Sequence, residues 1–434
     1  MSHLLKPRSD TEILIVGAGL AGLHCALRLK KAHPKLQITI AEAYNYIGGR
    51  VVSYHPPGAI GRGIQWENGA GRIHESHRLV KSYVKRYKLT PINLSSTTEF
   101  RSESNPVPQP SPWPALAALL VASLERLPPR VLASHTVESL LNSIHSPQTA
   151  KSIQNHFAYK AELSTMRADL ALESLQNEMG DDDSFFVVKE GLSELIHGMV
   201  RELKQLGVTF LLGHRLTNIV PDRFPMELSF SLKSETIPQY KLLTCQKAIL
   251  ALHSDALKGI RPFQNLPALS HLKMEPLLRT YGIFPTKQVS SWVSNIAKTI
   301  TDSPLRFVIP VNGAKGVVMT SYTDAQDSKR WTSLLDSKGP RALEQAIVKD
   351  LRKLFPEQNI PNPLFFKAHP WSEGCTYWLP GLYDPQELSE KLLNPLPRRF
   401  PDLYVCGESY SLKQCWMEGA LEHAELLLHN HFGL

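Results

Sequence analysis

Glycines at positions 17, 19 and 22, with an acid at position 42, are the residues of this chain best spaced for a defined chemistry, the holding of a dinucleotide diphosphate. In G-x-G-x-x-G each glycine has its own task. Gly17 permits a tight turn, Gly19 lets backbone approach a pyrophosphate, and Gly22 lets a helix pack closely on a sheet. Leu20 and Ala21 lie between them, at the start of that helix, where unpaired N–H groups and the helix dipole favour negative charge. Glu42 stands 20 residues beyond Gly22. There its carboxylate can accept hydrogen bonds from a ribose. A glycine-rich turn without a ligand does not account for Glu42.

NAD and FAD both satisfy this much. Directly after Glu42 comes Ala43-Tyr-Asn-Tyr-Ile-Gly48-Gly49-Arg50, which resembles the E-A-x-x-x-x-G-G-R element of the flavin amine oxidase family. The resemblance implies FAD, with Gly48 and Gly49 bringing backbone to the diphosphate and Arg50 adding a charge-assisted hydrogen bond. An ordinary turn is the alternative for these three. Tyr404-Val-Cys-Gly407-Glu408 and Gln414-Cys-Trp416-Met417-Glu-Gly-Ala420 resemble the family's closing strand, acidic FAD-binding residue and flavin-edge helix. Residues 191–195 and 214–219 are similar to the segment whose backbone, here at Leu216, contacts adenine.

If the resemblance holds, the reaction is oxidation of an amine or amino acid to an imine, with a hydride equivalent passing to flavin N5. Such chemistry asks for orientation, a neutral amine and a water-excluding aromatic pocket more than for acid–base groups. Trp416 falls where the family places one wall of an aromatic cage, and Tyr377 or Trp378 can supply the other; packing between lobes is the plainer role for all three. Trp371-Ser-Glu-Gly-Cys375 resembles the segment that tethers FAD through a cysteine thioether in monoamine oxidases, but the spacing to Pro380-Gly381 is shorter and Thr376 replaces an aromatic. Non-covalent FAD is therefore expected. Asn68-Gly69-Ala70-Gly71-Arg72 and the residues to Val80 are similar to a stretch of L-amino-acid oxidases in which the arginine clamps the substrate carboxylate. Arg72 either points into the pocket and does this, or pairs with a neighbouring acid or phosphate. The informative departure is Arg279, where many members carry a lysine that serves flavin reoxidation. A bulkier fork cannot reproduce that lysine's water bridge without repacking. Oxygen is the expected electron acceptor, with another acceptor left open. Beside the oxidase stand an L-amino-acid oxidase in the strict sense, an FAD-binding protein without amine turnover, and a desaturase-type flavoenzyme.

These residues need a scaffold. Residues 11–16 form a β-branched run, 20–29 have helical spacing, and 36–41 form a second β run, so together they read as a βαβ unit with parallel strands. Helical patterns follow at 77–88, 113–127, 136–144, 147–159, 191–206, 340–355 and 416–430. Residues 185–188 are apolar, and strands are expected at 208–212, 277–284, 306–322 and 403–407, with short ones up to 251. The Pro- and Ser-rich stretch 91–114 reads as a loop, and the acid run 181–183 as a solvated turn. The family-like elements lie far apart in the chain. The fold class is therefore α/β, with a discontinuous Rossmann-type FAD-binding domain (1–76, 185–255, 370–434) and an α+β substrate-binding domain (77–184, 256–369).

A chain of 434 residues is long enough for two cores, and 42% apolar with 20% charged residues is far from a disordered composition. The net charge of +8 has no nucleic-acid-reading motif with it. Its densest cluster, Arg78, Lys81, Lys85, Arg86 and Lys88, has the spacing of one solvated helix face. Five cysteines without metal-ligand spacing predict neither a disulfide framework nor a metal site. Residues 1–10 lack an apolar leader, and the apolar run 115–122 is much shorter than the ~20 residues of a membrane span. The expectation is a cytoplasmic protein without a membrane span, with a homodimer left open.

Overall fold

The computed structural model describes residues 9–95, 97–177, 184–220, 222–232, 239–286 and 291–434. The expected turn at 181–183 lies outside them.

Thr11–Val16 is buried at nearly every position, as a strand covered on both faces must be. It pairs in parallel with Ile38–Ala41 on one side and with the second half of Gln239–Leu250 on the other. The first half of that 12-residue strand pairs antiparallel with Met226–Leu232, which leads to His214–Val220. Thr209–Leu211 and Leu403–Val405 complete a seven-stranded sheet. The register aligns Val16 with both Ala41 and Leu250, and Leu250 with Val405. Four parallel strands therefore end at one level. Ligands of open α/β sheets bind just beyond such carboxyl ends, and Gly17, Glu42, Ala251 and Cys406 are the next residues in the chain. Helices Leu20–Ala32, Ser193–Gln205 and Met417–Phe432 bury their apolar sides in one core against this sheet. Sequence separation is bridged here by packing: Glu418, in the first turn of the last helix, accepts hydrogen bonds from Leu79 N and Val80 N at 2.8 and 2.9 Å, at the start of helix Arg78–Arg86.

The second seven-stranded sheet runs in the order Phe365–Trp378, Leu272–Ile283, Val317–Asp324, Phe307–Asn312, Lys298–Thr301, Thr98–Arg101, Gln109–Pro110. Helix Ala325–Leu354 covers it through Trp331, Leu343, Ile347 and Leu351. Six helices between Trp113 and Asn177 pack beside it.

Two expectations change, and one stretch without an assigned element gains one. The stretch 91–114 contains strands Pro91–Asn93, Thr98–Arg101 and Gln109–Pro110. Pro91 and Pro110 are tolerated because their strands end their sheets, where a missing N–H breaks no inner ladder. The helix expected from residue 340 does begin there as its second half, but a further segment from Ala325 precedes it across Gly339, whose φ of 80° interrupts the helix. Residues 365–378, left unassigned by pattern, form the longest strand of the second sheet. Among the described residues no helix is long and apolar enough to cross a membrane.

Candidate active site

A cavity of about 1200 Å³ runs from the carboxyl ends of the parallel strands to the face of the second sheet. Its first half is made chiefly of backbone. Gly17 has φ +106°, and a Cβ there would lie 2.3 Å from Ala251 O. A Cβ on Gly22 would lie 2.1 Å from Gly17 O, so only glycine lets the helix sit this close to the turn. Gly19 differs: nothing lies within 4 Å of the position a Cβ would take. It opens on the cavity and precedes a helix with no side-chain cap and no acid in its first turn. A free helix N-terminus facing a cavity is what a diphosphate requires.

Glu42 ties this floor together. Its two oxygens accept from Ala18 N at 2.8 Å and Tyr44 N at 2.9 Å, while the residue lines the cavity. Burial pushes its carboxyl above the ordinary value, opposed by the N–H groups of Tyr44, Ala18 and Ala43 and by the Arg215 charge. Gly48 N donates to Ala18 O at 2.9 Å, which lays the second glycine turn on the first. Arg50 donates to Gly374 O at 2.8 Å and to Glu408 Oε2 at 2.6 Å. That leaves three of its five N–H groups for a ligand. Glu408 Oε1 accepts from Cys415 N at 2.7 Å. Ala43, Leu216, Gly407, Met417 and Ala420 also border this half.

The other half is made of side chains. Arg72 stands over the ring of Phe185 at 4.1 Å, with Trp416 and Tyr159 at 5.4 and 5.7 Å. Strand alternation decides between the two candidate aromatics: Cys375 and Tyr377 face the cavity, whereas Trp378 is fully buried away from it and donates to Ser411 O at 3.0 Å. Trp378 is thus a packing residue. Arg279 lies over Tyr322 at 4.4 Å and donates to Glu67 O at 3.3 Å. It fits flat against backbone, since a Cβ on Gly71 would be 2.6 Å from its Nη1. Gly69 and Ala70 line the same wall. The Cys415 thiol donates to Thr376 O at 3.7 Å.

Of the residues singled out in the sequence for cofactor or substrate, all but Gly22 and Trp378 border this cavity; Gly22 shapes it from beneath, and Trp378 packs behind it. Sequence reasoning missed Glu67, Tyr159, Glu162, Tyr322 and Asp324, which also line it. None belongs to a motif, and they come from three elements far apart in the chain: strand Trp66–Glu67, helix Lys160–Ser164 with Tyr159 at its start, and strand Val317–Asp324. The one usable signal was a set of acids and tyrosines in otherwise apolar runs.

The family described as flavin containing amine oxidoreductase matches residues 20–426. An L-amino-acid oxidase of Siganus canaliculatus is 24% identical, over 96% of this chain and 84% of its own length. An L-amino-acid oxidase of Naja atra is 38% identical over a shorter stretch, 20% of this chain and 16% of its own. Among solved structures, a redesigned putrescine oxidase superposes with a TM-score of 0.72 at 14% identity, covering 98% of this chain and 99% of that one.

Proposed function

The chain belongs to the family of flavin-containing amine oxidoreductases and is a flavin-dependent amine oxidase, and we propose that it holds FAD non-covalently and oxidises an L-amino acid. The cofactor part of this reading is supported by the cradle in which Gly19 opens on the cavity at an uncapped helix start. There Gly17, Gly19, Leu20, Ala21, Gly48, Gly49 and Arg50 hold the diphosphate, Glu42 the ribose, and the backbone of Leu216 the adenine. Gly69, Ala70, Gly71, Cys375, Gly407, Glu408, Met417 and Ala420 border the remainder. FAD, when bound, supplies a two-electron acceptor for the hydride that leaves the carbon bearing the amine.

The substrate reading is carried by Arg72, a guanidinium held among three aromatic rings in the wall of the cavity. A planar fork fixed by ring faces is suited to a carboxylate, and relatives named L-amino-acid oxidases favour the same assignment. Trp416 and Tyr377 exclude water and present ring faces to the amine. The lobes proposed for this work are 1–76, 185–255 and 370–434 for the cofactor and 77–184 and 256–369 for the substrate, with the strand Phe365–Trp378 spanning the boundary.

Oxygen is the proposed electron acceptor. Arg279, held between Gly71 and Tyr322, favours a second reading in which another acceptor takes the electrons. The deciding experiment is anaerobic mixing with L-leucine, L-lysine, benzylamine and 1,4-diaminobutane. Bleaching of the flavin band by the amino acids supports the proposal; bleaching only by the simple amines rejects the carboxylate clamp. Admitting oxygen afterwards tests the acceptor, and flavin that stays in solution after acid precipitation establishes that Cys375 carries no tether.

A further inference from the structure

We propose that Glu162 receives the substrate's ammonium group and takes its proton, delivering the neutral amine from which hydride can leave. This rests on the amine-oxidising function proposed above. An amino acid at neutral pH is a zwitterion, and its nitrogen has no lone pair to push the hydride out until one N–H bond breaks. A carboxylate beside the reacting carbon meets that need.

The other buried acids of the cavity are already engaged. Glu42 accepts from Ala18 N and Tyr44 N, and Glu67 from the Ser53 hydroxyl and Leu192 N. Asp324 accepts from Lys160 N and Ala161 N at 2.9 and 3.1 Å, and Glu408 from Arg50 and Cys415 N. Glu162 is different. Its side chain lines the cavity and is 9% exposed; Oε1 accepts from the Tyr377 hydroxyl at 3.3 Å, and Oε2 is sealed from solvent with no hydrogen-bond partner. A buried polar atom without a partner costs ~1–3 kcal/mol; a half-turn of the carboxyl about its soft last torsion exchanges Oε2 with Oε1, so the group keeps an acceptor for a donor brought by a ligand.

The charged and titratable groups that act on Glu162 and its surroundings are Asp324 at the end of strand Val317–Asp324, Tyr377 from strand Phe365–Trp378 beyond the intervening Leu272–Ile283, Tyr159 at the start of its own helix Lys160–Ser164, Arg72 and Cys415. Burial and then the Asp324 charge push the Glu162 carboxyl up to about 8, with its own backbone N–H, Tyr377 and Arg72 opposing. A base tuned toward the operating pH and toward an amine is the better proton acceptor. Arg72 and Glu162 then form a complementary pair for a zwitterion, one for each charged end. In the step itself the N–H bond breaks and an O–H bond forms on Glu162. The electron pair stays on nitrogen, and no oxidation state changes until the hydride leaves.

The test is the pH dependence of anaerobic flavin reduction, wild type against E162Q, with two substrates of different amine acidity such as L-leucine and L-lysine. In the wild type kcat/KM rises with pH as Glu162 ionises, through about 8, and this acid limb holds the same position for both substrates. In E162Q the limb disappears and the rate at its plateau falls about 100-fold or more, while flavin content and the pH-independent absorption of the oxidised cofactor are kept. An acid limb that follows the substrate's own amine, or an E162Q profile that superimposes on the wild type, overturns the assignment. The wild-type comparison decides even where E162Q folds poorly. A wild type that no amine or amino acid bleaches fails at the level of the function itself, and is thereby told apart from a failure of Glu162.

Discussion

The two halves of the cavity are built on opposite plans. At the half proposed for the nucleotide, the carboxylates are paired before any ligand arrives, Glu42 with two backbone N–H groups and Glu408 with Arg50 and Cys415 N, and what is left open is donors, at the helix start and on Arg50. At the half proposed for the substrate, Glu162 Oε2 and Arg279 Nε are buried without hydrogen-bond partners, and the guanidinium groups of Arg72 and Arg279 lie over aromatic rings. The first plan prepays the ordering of a loop, which suits the proposed recognition of what every dinucleotide shares. The second leaves unpaired groups that only a matching ligand can complete, which is how a site discriminates among small molecules.

The sharpest way to break this contrast lies within the glycine motif itself. Gly22→Ala places a Cβ against Gly17 O, where there is no room, and should cost about 3 kcal/mol of apoprotein stability in thermal or denaturant unfolding. Gly19→Ala places it in open space, so apoprotein stability should stay within about 0.5 kcal/mol while flavin retention drops at least tenfold. Equal melting losses in both would mean that Gly19 is a folding residue and not a cradle.

At the other half, Arg72→Ala should raise KM for carboxylated substrates by about 100-fold, the size of one lost bidentate charge-assisted pair, and leave benzylamine turnover within a few fold. A matched loss on both substrates makes Arg72 structural. Glu408→Gln keeps the shape but removes the charge facing Arg50, and should weaken flavin binding by about 2 kcal/mol, read by titrating apoprotein with FAD. Smallest is Tyr377→Phe, which removes one long hydrogen bond to Glu162. It should change the rate of anaerobic flavin reduction by less than about fivefold, a loss below 1 kcal/mol; a larger drop would give the phenol a part in proton transfer.

How far the sequence was legible follows the same division. The βαβ unit, the glycine turns and the closing helix were read at nearly their observed bounds, because each is a local arrangement with its own spacing rule. The strands at Thr98–Arg101 and Gln109–Pro110 were not, because prolines at a sheet edge look like a loop until the edge is known. The choice between Tyr377 and Trp378 was equally closed to inspection, since both are large aromatics and only the pleat of an unforeseen strand tells which faces inward.

The order of residues along the chain determined by itself the strand, glycine turn and helix that carry Gly17, Gly19 and Gly22 and end near Glu42, the elements proposed here to hold a nucleotide, since turn geometry and helix packing are specified within some 30 residues. Only the tertiary structure decided that Arg72, Glu162, Asp324 and Tyr377 share one wall. They come from separate elements spread over some 300 residues of chain, and side chains so distant meet because two sheets and the helices over them bury their apolar faces together. No spacing in the sequence encodes that meeting.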